Sequence, residues 1–122
     1  MNIIERIAKL IRPEEELLKT PSGRSTFMIE AINSDGIKIR VGKGWPILVK
    51  AECLRGIPSF LEGKGWVIIG STHGKPPAGS LDEYLQKYTH RVSAASYVVP
   101  ILERIGIIEV NRKRPYRLRL IE

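Results

Sequence analysis

Apolar residues recur at helical spacing at the start of the chain. The positions that share one face of such a helix are Ile3, Ile4, Ile7, Leu10 and Ile11. This spacing predicts an amphipathic helix over 2–11. Pro13 can begin a further helical stretch over 14–19, because proline suits the first turn of a helix and the acidic run Glu14–Glu16 suits its N-terminus.

After Gly23, apolar and polar residues alternate with a period of two instead of recurring at helical spacing. It predicts a strand over 26–32, a hairpin turn at Asn33–Gly36 and a partner strand over 37–41. In the partner strand, apolar and basic residues alternate as Ile37, Lys38, Ile39, Arg40 and Val41. We therefore expect one face of this hairpin to be buried and the other to be solvated and positively charged.

Two further segments complete a predicted N-terminal α+β lobe over 1–70. Residues 47–62 are expected to be helical, with an interruption near Gly56 and Pro58 that kinks or splits the helix. The short apolar run 66–69 is typical of a central strand. After it, the segment 71–79 holds two prolines and two glycines, which predicts a linker.

The C-terminal segment has the spacing of two short helices joined by a tight turn. Ser80, with an acid three residues later, forms a capping-box pattern before a helix over 81–88. Ser93 is expected to cap a second helix that ends before Gly106. The stripe expected to be buried on this second helix is Ala94, Val98, Ile101, Leu102 and Ile105.

A hairpin rich in basic residues completes the chain. Residues 107–110 and 116–120 have strand-like patterns, and 111–115 between them is a basic turn. In the second strand, Tyr116, Leu118 and Leu120 are expected to face inward, with Arg117 and Arg119 outward. Five basic residues and a single acid lie within 111–122, so positive charge is concentrated there.

Helix, turn, helix and a two-stranded hairpin with a basic tip resemble the winged helix-turn-helix family. The stretch 101–108, Ile-Leu-Glu-Arg-Ile-Gly-Ile-Ile, is similar to that family's transition from recognition helix to first wing strand. The resemblance covers about residues 79–122, with the domain placed at 80–122, and it implies double-stranded DNA as the partner. The family normally has a third helix before the pair. We expect helix 2–11 to supply it by packing on the C-terminal lobe, so that both lobes form one cooperative unit.

The resemblance also implies roles for individual residues. The second helix would enter the major groove, while the wing would touch the phosphate backbone or minor groove. Such proteins often read two half-sites, which would suit a homodimer. The residues expected to contact DNA are Arg91, Ser93, Ser96, Tyr97, Arg104, Arg112, Lys113, Arg114, Arg117 and Arg119.

The outward side of the second helix offers few base-reading groups. If the apolar stripe is buried, the residues left outside are Ser93, Ser96, Pro100 and Glu103, flanked by Tyr97, Val99 and Arg104. Direct readout normally uses Arg, Lys, Asn or Gln. We therefore expect recognition mostly through the DNA backbone and shape. The alternative is a protein–protein interaction module of a larger assembly that docks through this helix.

Composition narrows the class of protein. A net charge of +7 and a pI near 9.8 favour a polyanionic partner. No apolar run approaches membrane-spanning length, so we expect a cytoplasmic protein without a membrane partner. Cys53 is the single cysteine and is expected to be a small buried residue. The bias toward Ile, Lys, Arg and Glu, with one Gln, is typical of proteins from hot environments.

Catalytic and metal-binding patterns are missing from the sequence. His73 and His90 stand apart from any metal-ligand spacing, and no acidic residues form a recognisable nuclease set. We therefore expect neither enzyme activity nor a metal or cofactor.

A short echo, Gly-Lys-Gly-Trp, occurs at 42–45 and 63–66. The residues that carry its chemistry are Lys43, Trp45, Lys64 and Trp66. Glycine lets a backbone approach phosphate, lysine neutralises it, and tryptophan can stack on a base. Together with the basic strand face, these residues would suit a single-stranded nucleic-acid binder. The plainer interpretation is two turns at strand ends, with each tryptophan covering the edge of the core.

Overall fold

The computed structural model describes residues 2–42, 46–70, 75–89 and 94–121. Within these ranges the protein is an α+β fold with four helices and two antiparallel sheets, which confirms the predicted class. No helix in this part of the chain is long and apolar enough to cross a membrane.

The first sheet is a four-stranded antiparallel meander that follows helix α1 (Ile3–Leu10). Its strands, in chain and spatial order, are β1 (Leu18–Lys19), β2 (Thr26–Asn33), β3 (Gly36–Arg40) and β4 (Ile47–Lys50). The predicted helix over 2–11 and the predicted hairpin are therefore confirmed. The inward residues Ile37 and Ile39 are fully buried.

The helical prediction for 14–19 is wrong. Glu14 has a φ of 64°, and its N–H donates to the carbonyl of Ile29 at 2.8 Å, which turns the chain onto β2. Leu18 then pairs with Phe27 as part of β1, and both are buried. Pairing with β2 has overridden the local helical preference of the acidic run.

Helix α2 (Ala51–Leu61) begins later than predicted, because 47–50 forms β4 with Val49 fully buried opposite Ile37. The predicted interruption near Gly56 and Pro58 is wrong, since both residues lie inside one continuous helix whose apolar face is buried. Gly56 allows a close approach, since a Cβ there would collide with the Tyr84 hydroxyl. That hydroxyl donates to the Cys53 carbonyl at 2.8 Å and so ties α2 to the next helix along the chain.

The second sheet is antiparallel with the order β5-β7-β6. Its strands are β5 (Val67–Ile68), β6 (Ile108–Asn111) and β7 (Arg117–Leu120). The apolar run 66–69 was predicted to be a central strand, but β5 lies at the edge and pairs only with β7. Ile69 is nonetheless buried. Its N–H donates to the Tyr116 carbonyl, and its carbonyl accepts from the Asp82 N–H, both at 2.9 Å.

Helices α3 (Leu81–Thr89) and α4 (Ala95–Arg104) lie between β5 and β6 in the chain. At the start of α3, the Ser80 hydroxyl accepts from the Glu83 N–H at 3.1 Å, as the capping pattern predicts. Gly106, with a φ of 78°, follows the end of α4 as expected. The predicted buried stripe of α4 is buried throughout, and Ala95, Val99 and Pro100 are buried with it. The expected cap Ser93 lies outside the described residues.

The buried residues of both predicted lobes form one continuous core. Helix α1 packs on α2 and β2, and the Leu10 carbonyl accepts from Arg104 Nη2 at 3.0 Å. Ile3 and Arg6 also line a small cavity together with Ile107 and Leu120. Helix α1 therefore contacts the C-terminal segment. Of the predicted linker 71–79, only 75–79 are described.

Removing buried methyl groups from α1 tests whether this core unfolds as one unit. Ile7 is fully buried, so Ile7→Ala should lower the free energy of unfolding by about 2–5 kcal/mol. Urea unfolding followed by far-UV circular dichroism and by tryptophan fluorescence should still give one coincident transition, moved to lower urea. The matched control Lys9→Ala, on the exposed side of α1, should change stability by less than about 0.5 kcal/mol. Two separate transitions would contradict a shared core.

Candidate nucleic-acid interface

Arg112, expected to contact phosphate, is bound back onto α4. Its two terminal nitrogens donate to the Glu103 carboxylate at 3.0 and 2.8 Å. This hydrogen bond raises the pKa of Arg112, although the ordinary value already keeps the group charged at neutral pH. The start of the β6–β7 turn is thereby tied to α4, and the charge of Arg112 is largely neutralised.

Two other predicted contacts are also engaged inside the molecule. Arg104 donates to Glu16 through Nε at 2.9 Å, in addition to its bond to Leu10. Arg119 pairs with Glu109 across the wing strands, and its guanidinium lies 4.5 Å from the centre of the Trp66 ring. These arginines hold elements together, so they offer less free charge than the sequence indicates.

The remaining cations of the wing lie at its tip. Lys113 and Arg114 are exposed and Arg117 is partly buried. Within the described part of the chain, none of the three forms an ion pair. The turn is shaped by Asn111, whose side-chain oxygen accepts from the Lys113 N–H at 3.0 Å. Positive charge is therefore concentrated at one projecting turn.

The expected outward face of α4 is largely covered. Val99 and Pro100, predicted to be outside, are buried, so that part of the prediction is wrong. Tyr97 packs edge-on against Phe27 of β2, with ring centres 5.3 Å apart. The cause is tertiary, since β1 and the turn after it lie over this side of the helix. In this arrangement α4 cannot enter a major groove along its length.

A groove of about 790 Å³ lies beside the wing tip. It is bounded by the β1–β2 turn, the end of β5, the first turn of α4 and the β6–β7 turn. The described residues that line it are Thr20, Pro21, Ser22, Arg24, Ser25, Ile68, Ile69, Gly70, Pro77, Ser96, Tyr97, Arg114, Pro115 and Tyr116. These residues include two guanidinium groups and several hydroxyls but no carboxylate.

Arg24 is the residue that sequence reasoning missed. It lies in the turn between β1 and β2, for which the sequence predicts no function, and it is exposed on the groove. A cation between glycine and serine is a signal for an accessible turn. Its proximity to Arg114, however, depends on how the two halves of the chain pack.

Of the four predicted secondary nucleic-acid contacts, two lie outside the described residues and two contact neighbouring side chains. Lys43 and Trp45 lie outside the described residues, as do Arg91 and Ser93 of the main set. Lys64 lies over the Phe60 ring, with its nitrogen 3.8 Å from the ring centre. In the second copy of the echo, Lys64 therefore packs on Phe60, and Trp66 packs against Arg119.

The solvent face of the first hairpin is not left positive, contrary to expectation. Arg40 donates to Glu30 at 2.8 Å, and Lys38 lies 3.9 Å from the same carboxylate. The Arg40 hydrogen bond holds the pKa of Glu30 below its ordinary value. Glu30, which lies at the bulge of β2 between Ile29 and Ala31, therefore neutralises the basic strand face.

Reactive groups are scarce in the described part of the chain. No cluster of three His, Cys, Asp or Glu residues there could hold a metal ion. Cys53 is fully buried, and burial raises the pKa of its thiol to about 12, so it is almost wholly protonated at neutral pH. His73 and His90 lie outside the described residues.

Comparison of the chain with protein-family models, curated proteins and solved structures gave no match.

Truncating Tyr97 tests whether its ring packs against β2 or is free to contact DNA. Tyr97→Ala should lower the free energy of unfolding by about 2 kcal/mol, because it removes buried ring surface and the edge contact with Phe27. Tyr97→Phe keeps that contact and should change stability by less than about 0.5 kcal/mol. Urea denaturation of the variants measures both. An unchanged stability in Tyr97→Ala would show that the ring is not a packing residue.

Proposed function

We propose that this protein binds duplex DNA through its phosphate backbone, using the β6–β7 turn as a wing and the groove beside it. The observation that carries the proposal is the acid-free surface formed by Arg24 and Arg114, next to Lys113 and Arg117. Cations that are not neutralised inside the molecule can displace the counterions of a nucleic acid, which favours binding.

The element order supports a winged helix-turn-helix interpretation. Helices α3 and α4 are followed by the β6–β7 hairpin, with β5 added on the β7 side. The third helix of such a domain is better supplied by α2, which precedes the pair and packs on β7, than by helix 2–11. Helix α1 then packs against α2 and is not one of the three helices.

The mode of binding differs from an inserted recognition helix. Since β1 and the turn after it cover the outward side of α4, only its first turn, with Ser96 and Tyr97, reaches the groove. Such contacts position a backbone but carry little sequence information. Docking of a protein partner along α4, the alternative from a different class, would meet the same covered face.

A salt series tests the backbone contacts directly. The variant Lys113→Gln/Arg114→Gln/Arg117→Gln should bind a random 24-base-pair duplex more weakly than wild type. Its slope of log affinity against log salt should be shallower by up to about 3, because each lost phosphate contact removes about one counterion. Fluorescence anisotropy with a labelled duplex measures both.

The matched control removes three charges elsewhere. Lys9, Lys50 and Lys87 are exposed and do not line the groove. Lys9→Gln/Lys50→Gln/Lys87→Gln has the same net charge as the wing variant but should keep most of the wild-type slope. Equal slopes for the two triple variants would show that binding follows net charge alone. No binding by wild type at low salt would overturn the proposed function.

Releasing Arg112 should strengthen binding. Glu103→Gln removes a carboxylate beside the wing and frees the guanidinium that it binds. We expect affinity at low salt to rise by roughly threefold and the salt slope to steepen by about 1. The control Glu62→Gln removes an exposed charge outside the groove and should have a smaller effect. A fall in affinity for Glu103→Gln would show that Arg112 does not contact the DNA.

A further inference from the structure

The groove between the two hairpin turns is suited to a ligand smaller than a duplex. Its volume of about 790 Å³ lies within the range typical of pockets for compact ligands, which is roughly 300–1,000 Å³. A fully paired duplex keeps its base faces stacked inside and can offer the groove only its backbone. An unpaired nucleotide can present a base face and a phosphate together.

The walls of the groove provide surfaces for a base. Tyr97 and Tyr116 line it with partly buried rings, and Ile68, Pro77 and Pro115 add apolar surface. Aromatic rings bind bases of any type, because every base has a π-face. Tyr97 is held in place by Phe27, so its ring is ordered before a ligand arrives.

The positive charges that line the groove favour an anionic ligand. Arg24 and Arg114 come from different turns, and no carboxylate stands among the described lining residues to compete for them. Guanidinium groups match phosphate oxygens in charge and geometry. The hydroxyls of Ser22, Ser25 and Ser96 can donate to phosphate or sugar oxygens.

We propose that this groove accepts one unpaired nucleotide, so that the protein prefers DNA with a single-stranded extension over fully paired DNA. The inference rests on the proposed function, because the wing would hold the adjoining duplex. It adds an unpaired nucleotide to the duplex as a second part of the ligand. It also assigns the binding of this nucleotide to Arg24 and Tyr116, which are not among the cations Lys113, Arg114 and Arg117.

The test compares a blunt 24-base-pair duplex with the same duplex carrying a six-thymidine extension at the 3′ or the 5′ end. Wild type should bind one of the extended duplexes at least about fivefold more tightly, as expected for one stacked base. Arg24→Gln and Tyr116→Leu should bind the blunt and the extended duplexes with equal affinity, so that the preference is lost whatever the change in affinity for the blunt duplex. Tyr116→Phe, which keeps the ring, should retain it.

A matched control separates the groove from general charge. Lys19→Gln removes an exposed charge from the same β1–β2 hairpin at a position that does not line the groove, and it should keep the preference. Equal binding of blunt and extended duplexes by wild type would overturn the inference while the proposed function stands. A preference that survives both Arg24→Gln and Tyr116→Leu would place the unpaired strand elsewhere and also overturn it. No binding to either duplex would reject the proposed function itself.

Discussion

The packing of α4 between two sheets constrains everything around it. Its predicted stripe is buried against the C-terminal core, and Val99 and Pro100 are buried as well. A helix covered on nearly every side contributes stability through its apolar area and leaves few positions for recognition. The groove beside the helix must therefore be built from the surrounding turns, which contribute Arg24 and Arg114 to it.

The distribution of glutamates explains why only part of the basic charge is available. Glu16, Glu103 and Glu109 each engage an arginine that the sequence offers as a phosphate contact. Exposed pairs of this kind add little stability in isolation. Their effect on the surface potential is larger, because they neutralise Arg104, Arg112 and Arg119 and leave Arg24 and Arg114 as the cations that line the groove.

Elements with local signals were predictable from sequence. The α1 stripe, the hairpin at Asn33, the Ser80 cap and the glycine after α4 each follow from residues within one or two turns of each other. The errors have long-range causes. The acidic run before Leu18 has helical preference, yet pairing with β2 makes that leucine part of a strand. Which arginines remain free could not be predicted either, since Glu16 and Arg104 meet only after both halves have packed.

Because Arg24 lines the groove, the N-terminal half contributes to the proposed binding surface as well as to stability. Its turn and the wing tip are far apart in the chain but border one groove, because β1 and β2 pack on α4. Phe27 and Tyr97 hold that contact through an edge-to-face aromatic pair. The two arginines are thus brought together by folding and not by the ligand, which reduces the entropy lost on binding. A C-terminal segment alone, even one that kept its helices and wing, would present only half of this surface.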